Sequence, residues 1–266
     1  MGEPEFLIWH GHHVCVSDTG RGEPLLLVNG LGCDVDTWTP FVRQFAGRRI
    51  IRFDAPGAGR SSVPLFPVSV AALGELAAVV LDHYAIASAD VVGFSYGGAV
   101  AQQLAFDRPE RVRRLVLAAT TCGLGSVPGS LQAMAVLATT LRFYSPGYFE
   151  RMAPALYGGV TGRAAAAHVT RQAAAPPSTY GYAMQLLGAT GWTSLPFLDR
   201  IPHETLVISG DDDPLVPVEN AEFLAQRIPR ARLEIVERAG HLFLLDDAEN
   251  LAPRIGRFVD AEPLAI

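Results

Sequence analysis

Ser95 stands in Gly93-Phe94-Ser95-Tyr96-Gly97, a G-x-S-x-G pentapeptide with a further glycine at 98. An apolar run, Val91 to Phe94, precedes it and a helical pattern from Tyr96 follows. A serine on a sharp strand-to-helix turn is strained and lifted above the sheet edge, and glycines let the neighbouring backbone pass close by. The turn also aims a helix N-terminus at the reacting centre, where the positive dipole end favours a developing anion. A hydroxyl is a weak nucleophile and needs a base. Of seven histidines, only His241, in Ala239-Gly240-His241-Leu242, falls on a loop after a strand on the carboxyl side of the sheet. His10, His12 and His13 belong to an N-terminal hairpin, His83 and His203 to helix and loop surfaces, and His168 to a helical insertion. An imidazole base needs an acid to fix its tautomer. Gly210-Asp211-Asp212-Asp213-Pro214 follows another strand, and three adjacent carboxylates repel unless a partner sequesters one. Asn29-Gly30-Leu31-Gly32, after the run Leu25 to Val28, sits where an oxyanion loop belongs. We assign the oxyanion donors to the backbone N–H groups of Leu31 and Tyr96. Asn29 orders that loop at the substrate side, and Cys33 nearby has no obvious base.

Six runs rich in Val, Ile and Leu supply the strands: Leu25 to Val28, Arg49 to Phe53, Val91 to Phe94, Val112 to Leu117, Leu206 to Ser209 and Leu233 to Val236. Nearly continuous hydrophobicity is what a parallel strand covered on both faces requires. Val70 to Tyr84, Tyr96 to Phe106, Glu219 to Arg227 and Ala248 to Val259 carry helical spacing. Strand–helix alternation implies an α/β fold with helices on both faces of a mostly parallel sheet. An antiparallel hairpin, Glu5 to Trp9 and His12 to Ser17, brings the strands to eight. The alternation stops between Gly123 and Leu195, a stretch rich in Ala, Met, Tyr and Phe and broken by Pro128, Pro146, Pro154, Pro176 and Pro177. We read residues 123–195 as a helical cap over the carboxyl ends of the strands, and 1–122 with 196–266 as the core. Asp54-Ala55-Pro56-Gly57-Ala58-Gly59 is a structural turn, since its G-x-G lacks the third glycine of a dinucleotide site.

The 266-residue chain is 49% hydrophobic, enough for a core that needs no disulfide or structural metal. Its net charge is −6 with no basic run, which argues against nucleic acid; all 21 cationic side chains are Arg. Cys15, Cys33 and Cys122 lack zinc-binding or CxxC spacing and read as free thiols. Glu3 and Glu5 stand where a signal peptide carries positive charge, and no apolar run approaches the ~20 residues of a membrane span. A cytoplasmic protein without metal or cofactor is expected, with a mean hydropathy of +0.23 that suits contact with an apolar surface.

The elbow, the Asn-Gly-Leu-Gly loop, the Asp-Ala-Pro-Gly turn, the acid loop and Gly240-His241 resemble the α/β-hydrolase superfamily over essentially the whole chain. In that superfamily the acid stands three residues after the glycine of its loop, which selects Asp213, and the order Ser95, Asp213, His241 agrees. Serine at the elbow separates the chain from relatives that use aspartate there. Met152-Ala153-Pro154-Ala155-Leu156-Tyr157-Gly158-Gly159, Gly191-Trp192-Thr193-Ser194 and Gly240-His241-Leu242-Phe243-Leu244 resemble intracellular depolymerases of medium-chain-length poly(3-hydroxyalkanoate). The chain departs from them in carrying Tyr96 where that family has Trp. The resemblance implies ester hydrolysis in a storage polyester, with the granule surface as partner. A general carboxylesterase or thioesterase on soluble substrates shares every one of these residues, as would a haloperoxidase-like or C–C bond hydrolase. Phe143, Tyr144, Phe149, Tyr157 and Trp192 are the large cap side chains expected to line an acyl channel above Ser95.

Overall fold

Alternate residues of the central strands face opposite layers, and both layers are apolar. Leu26 and Val91 enter one core with Leu73, Leu76, Val100 and Leu104; Leu25, Leu27 and Val92 enter the other with Trp38, Phe41, Leu251 and Ile255. The structure, a computed structural model, describes residues 5–159 and 176–261. Its strands are β1 (Glu5–Trp9), β2 (His12–Gly20), β3 (Glu23–Val28), β4 (Arg48–Phe53), β5 (Ala89–Phe94), β6 (Val112–Ala118), β7 (Glu204–Gly210) and β8 (Ala231–Val236). They form one sheet in the order β1-β2-β4-β3-β5-β6-β7-β8. β1–β2 and β2–β4 pair antiparallel and the remainder parallel. This is the eight-stranded, mostly parallel α/β-hydrolase arrangement.

The helices used below are α1 (Val70–His83), α2 (Tyr96–Asp107), α3 (Leu131–Leu137), α4 (Pro146–Tyr157), α5 (Thr179–Ala189), α6 (Glu219–Arg227) and α7 (Ala248–Asp260). β8 differs from the fully buried strand its composition suggests. Among the described residues it closes the sheet edge, pairs only with β7, and leaves Leu233 41% exposed. The chain runs from β3 outward to β4 and then returns to the other side of β3 for β5. That reversal opens a crevice at the carboxyl ends of β3 and β5, where open α/β sheets bind ligands. Val28 pairs with Gly93, so the loops after the two strands emerge side by side.

Between residues 123 and 195 the described residues form α3, α4, α5 and a single turn at Leu141–Tyr144. The segment's two ends meet: Gly123 bridges Thr193, and the Leu124 N–H donates to the Trp192 carbonyl at 2.8 Å. An insertion leaving and returning at one point does not disturb the strand pairing beneath it. Among the described residues no helix is long and apolar enough to cross a membrane.

Candidate active site

Ser95 follows β5 and precedes α2 with φ 53° and ψ −120°. A non-glycine residue in this region costs on the order of 1–3 kcal/mol and persists only where its surroundings dictate it. They do so here. The Ser95 N–H donates to the Ala118 carbonyl at 2.8 Å, and its own carbonyl accepts from the Gly98 N–H at 2.8 Å and the Thr120 hydroxyl at 2.7 Å. Gly97 has no room for a side chain, since a Cβ would lie 2.1 Å from the Val28 carbonyl oxygen.

Ser95 Oγ lies 3.0 Å from His241 Nε2, and His241 Nδ1 lies 2.7 Å from Asp213 Oδ2. The loop after β7 delivers Asp213 and the loop after β8 delivers His241. Asp213 Oδ1 accepts the N–H groups of Leu215 and Val216, both at 2.9 Å, which leaves Oδ2 for the imidazole. The Asp213 side chain is fully buried and His241 nearly so. Of the other two acids, Asp212 is exposed and accepts the Gly159 N–H at 2.9 Å, and Asp211 is exposed. The His241 N–H donates to the Tyr157 carbonyl at 2.6 Å, fastening its loop to the end of α4. The Phe94 and Tyr157 rings flank the imidazole, with centroids at 5.3 and 6.3 Å.

The Tyr96 N–H opens α2 and so has no acceptor within the helix. The Leu31 N–H has no protein acceptor among the described residues. Two donors beside a nucleophile can receive the oxygen of a carbonyl under attack. Asn29 orders the loop as its position suggests, its Nδ2 donating to the Asp34 carbonyl at 2.8 Å. Its Oδ1 is buried without a hydrogen-bond partner among the described residues. Asp54 ties the same loop from below, its Oδ1 accepting the Val35 N–H at 2.6 Å. Burial pushes the Asp54 carboxyl up to about 6, against N–H bonds from Arg60 and Val35 that pull it down. Cys33 is pushed up to about 12 by burial and the Asp34 charge, so it carries no thiolate at neutral pH.

The large residues expected to line an acyl channel divide. Tyr157 stacks by His241, Phe149 packs on Tyr157 with centroids 6.0 Å apart, and Phe143 covers Gly32. Tyr144 and Trp192 correct the expectation of a common channel. Tyr144 is 52% exposed, its hydroxyl donating to the Pro177 carbonyl at 2.7 Å. Trp192 donates from Nε1 to Gln103 Oε1 at 2.7 Å and packs on Phe197. Gln103 lies eight residues along the chain from Ser95, about 12 Å down α2, so Trp192 wedges the base of the insertion against the core. His203 is also corrected: it is buried, its Nε2–H donating to the Pro109 carbonyl at 2.9 Å. His168 lies outside the described residues. Gln185 of α5 has no place in the sequence pattern of the chemistry, yet its Oε1 accepts the Gly32 N–H at 2.9 Å. Its only sequence signal is the stripe Gly181, Gln185, Gly188, on one face of a helix.

A family model described as the alpha/beta hydrolase fold matches residues 23–248. A poly(3-hydroxyalkanoate) depolymerase of Ectopseudomonas oleovorans is 41% identical over 243 residues, 90% of this chain and 85% of that protein. A 2-hydroxymuconate semialdehyde hydrolase of Pseudomonas sp. (strain CF600) is 31% identical over 280 residues, 98% of this chain and 95% of that one. Among solved structures, a hydrolase from Pseudomonas aeruginosa PA01 matches with a TM-score of 0.81 at 29% identity, covering 98% of this chain and 99% of that one. The enol-lactonase from Burkholderia xenovorans LB400 shares the fold, with a TM-score of 0.83 at 22% identity over 97% of this chain and 100% of that one.

Proposed function

The chain belongs to the α/β-hydrolase family, and from that premise we propose that it cleaves carboxylic ester bonds through an acyl-enzyme on Ser95. The observation that carries this reading is the unbroken path from Asp213 to His241 to Ser95, at 2.7 and 3.0 Å, ending on a serine of strained backbone. Ser95 Oγ attacks the ester carbonyl while His241 Nε2 takes its proton. Asp213 holds the Nδ1–H and stabilises the imidazolium. The carbonyl oxygen, now anionic, takes hydrogen bonds from the Leu31 and Tyr96 N–H groups. The C–O bond breaks as His241 returns its proton to the leaving alcohol. Water then attacks the acyl-enzyme with His241 again as base, releasing the acid and restoring Ser95.

In this reading the substrate class is a medium-chain poly(3-hydroxyalkanoate) inside the cell; the 41% identical relative named a poly(3-hydroxyalkanoate) depolymerase supports the polyester class. Segment 123–195 acts as a cap on the core of 1–122 and 196–266, with Phe143, Phe149 and Tyr157 shaping the acyl site. Leu65, Phe66, Leu131, Leu141 and Leu187 are large apolar side chains left exposed, which suits contact with a polyester granule.

Two measurements test the proposal. Wild-type protein is expected to be labelled by a fluorophosphonate at Ser95 and to release 3-hydroxyacids from a medium-chain polyester suspension. Turnover of short p-nitrophenyl esters with no polyester release would replace the polymer by a soluble ester. Failure of both labelling and hydrolysis would refute the ester-hydrolase reading.

A further inference from the structure

α5 lies on the core loops more closely than side chains ordinarily permit. A Cβ on Gly181 would stand 2.5 Å from the Gly57 carbonyl oxygen, and one on Gly188 would stand 2.1 Å from that of Val68. Between these two contacts, on the same helix face, lies Gln185, which is 4% exposed. Its amide makes two bonds to two different loops. Oε1 accepts the Gly32 N–H at 2.9 Å, and Nε2 donates to the Pro56 carbonyl at 3.2 Å.

Gly32 belongs to a tight turn closed by the Cys33 N–H on the Gly30 carbonyl at 3.2 Å. Its φ of +71° at the third position of the turn is the type II pattern. Types I and II differ by a flip of the middle peptide, the one that carries the Gly32 N–H. The Gln185 bond therefore selects one of two orientations of the peptide next to the Leu31 N–H. Phe143 and Tyr182 close the turn from above, each 3.0 Å from where a Gly32 Cβ would be. Below, the Asp54–Pro56 turn that receives the Gln185 amide also holds Val35, at the far end of the same loop, through Asp54 Oδ1. The loop is thus held from two sides, and Gln185 ties the loop itself, at Gly32, to the lower support, at Pro56.

We propose that Gln185 is a positioning residue: a latch from the cap segment that keeps the oxyanion loop preorganised and so makes transition-state stabilisation depend on a seated α5. The proposal rests on the ester-hydrolase reading above. Gln185 touches no reacting atom and acts through the Gly32 peptide. Its removal should reduce stabilisation of the tetrahedral state and leave ground-state binding nearly unchanged.

The test is Gln185→Met, equal in length without the amide, assayed on p-nitrophenyl butyrate and with butylboronic acid. The boronic acid forms a B–O bond to Ser95 Oγ, whose proton passes to His241, and places a boronate oxygen among the oxyanion donors. Removing one such donor outright costs about 10²–10³ in kcat, so a donor present but unheld should cost ~10–100-fold. The expected result is that fall in kcat, KM within about threefold, and a boronate Ki raised by the same factor as kcat falls. A folded Met variant with kcat within about threefold of wild type overturns the latch, as does a fall in kcat with unchanged boronate affinity.

Gln185→Glu decides the matter should the Met variant not fold. Burial favours the neutral acid, whose C=O accepts the Gly32 N–H and whose O–H donates to the Pro56 carbonyl. Ionisation keeps the first bond but sets a carboxylate against the Pro56 carbonyl and unseats the latch, so the variant should rescue kcat at pH 6 and lose it relative to wild type as pH rises. A ratio of Glu-variant to wild-type kcat that does not change with pH overturns the latch. Wild-type protein that neither reacts with a fluorophosphonate nor hydrolyses esters overturns the underlying reading and the latch with it. Labelled, active wild type with an unaffected Met variant overturns the latch alone.

Discussion

Asp213→Asn changes one atom of the proposed triad and nearly nothing of its shape. Asp213 Oδ1 accepts two backbone N–H groups, from Leu215 and Val216, while Oδ2 faces His241 Nδ1 at 2.7 Å. An asparagine must keep its oxygen toward the two N–H groups, because the opposite flip points its NH₂ at two donors. Its NH₂ then faces Nδ1 as a donor. The imidazole answers by carrying its proton on Nε2, 3.0 Å from Ser95 Oγ, and can no longer take the serine proton. Loss of the correct tautomer in such triads costs about 10⁴ in kcat, equivalent to ~5.4 kcal/mol of transition-state stabilisation. The assay is kcat/KM on a soluble p-nitrophenyl ester, with thermal unfolding as the control for folding. Asp212→Asn is the internal comparison. Asp212 is exposed and its side chain accepts the Gly159 N–H, a bond an asparagine oxygen can retain, so activity should stay within about threefold. An Asp213→Asn enzyme within tenfold of wild type, or an Asp212→Asn enzyme crippled in its place, would refute the assignment of the acid.

Ser95→Ala should lower ester hydrolysis by about 10⁴–10⁶-fold while the protein stays folded; residual activity within tenfold, measured on repurified protein, would remove Ser95 from the nucleophile role. Trp192→Ala should cost about 2–4 kcal/mol in urea denaturation through lost packing and the lost bond to Gln103, with the acyl-length profile of short esters unchanged; a shifted profile at full stability would return Trp192 to the acyl site. Asp54 gives a pH dependence of stability. Its folded pKa of about 6 lies above its ordinary 3.8, so between those values the folded protein keeps a proton that the unfolded chain has lost. Stability contributed by the protonated carboxyl therefore falls as pH rises through that window, by on the order of 3 kcal/mol in all. Wild type minus Asp54→Asn, followed by chemical denaturation from pH 4 to 6.5, should show this decline, and a flat difference would count against the buried, proton-holding Asp54.

The fold was legible in the sequence because its signals are local. Runs such as Leu25 to Val28 and Val91 to Phe94 need burial on both faces, and a glycine-flanked serine between such a run and a helix has few other uses. His241 could be chosen for the same reason, from its place after a strand. Among Asp211, Asp212 and Asp213 the residues alone did not decide; family spacing favoured the third, and the geometry brings that carboxylate to His241 because two backbone N–H groups turn it inward. What only the tertiary structure decided depends on which surfaces meet. Trp192 and Tyr144 are large side chains in the expected cap, yet one wedges against α2 and the other faces solvent, since size reports a wish to be buried and not the place of burial. His203 looked like a surface histidine and is buried against Pro109. Gln185 lies 153 positions from Gly32 in the sequence. No periodicity couples the two; they meet because Gly181 and Gly188 let one helix rest on the loops of the crevice between β3 and β5, a contact that exists only once the sheet has formed.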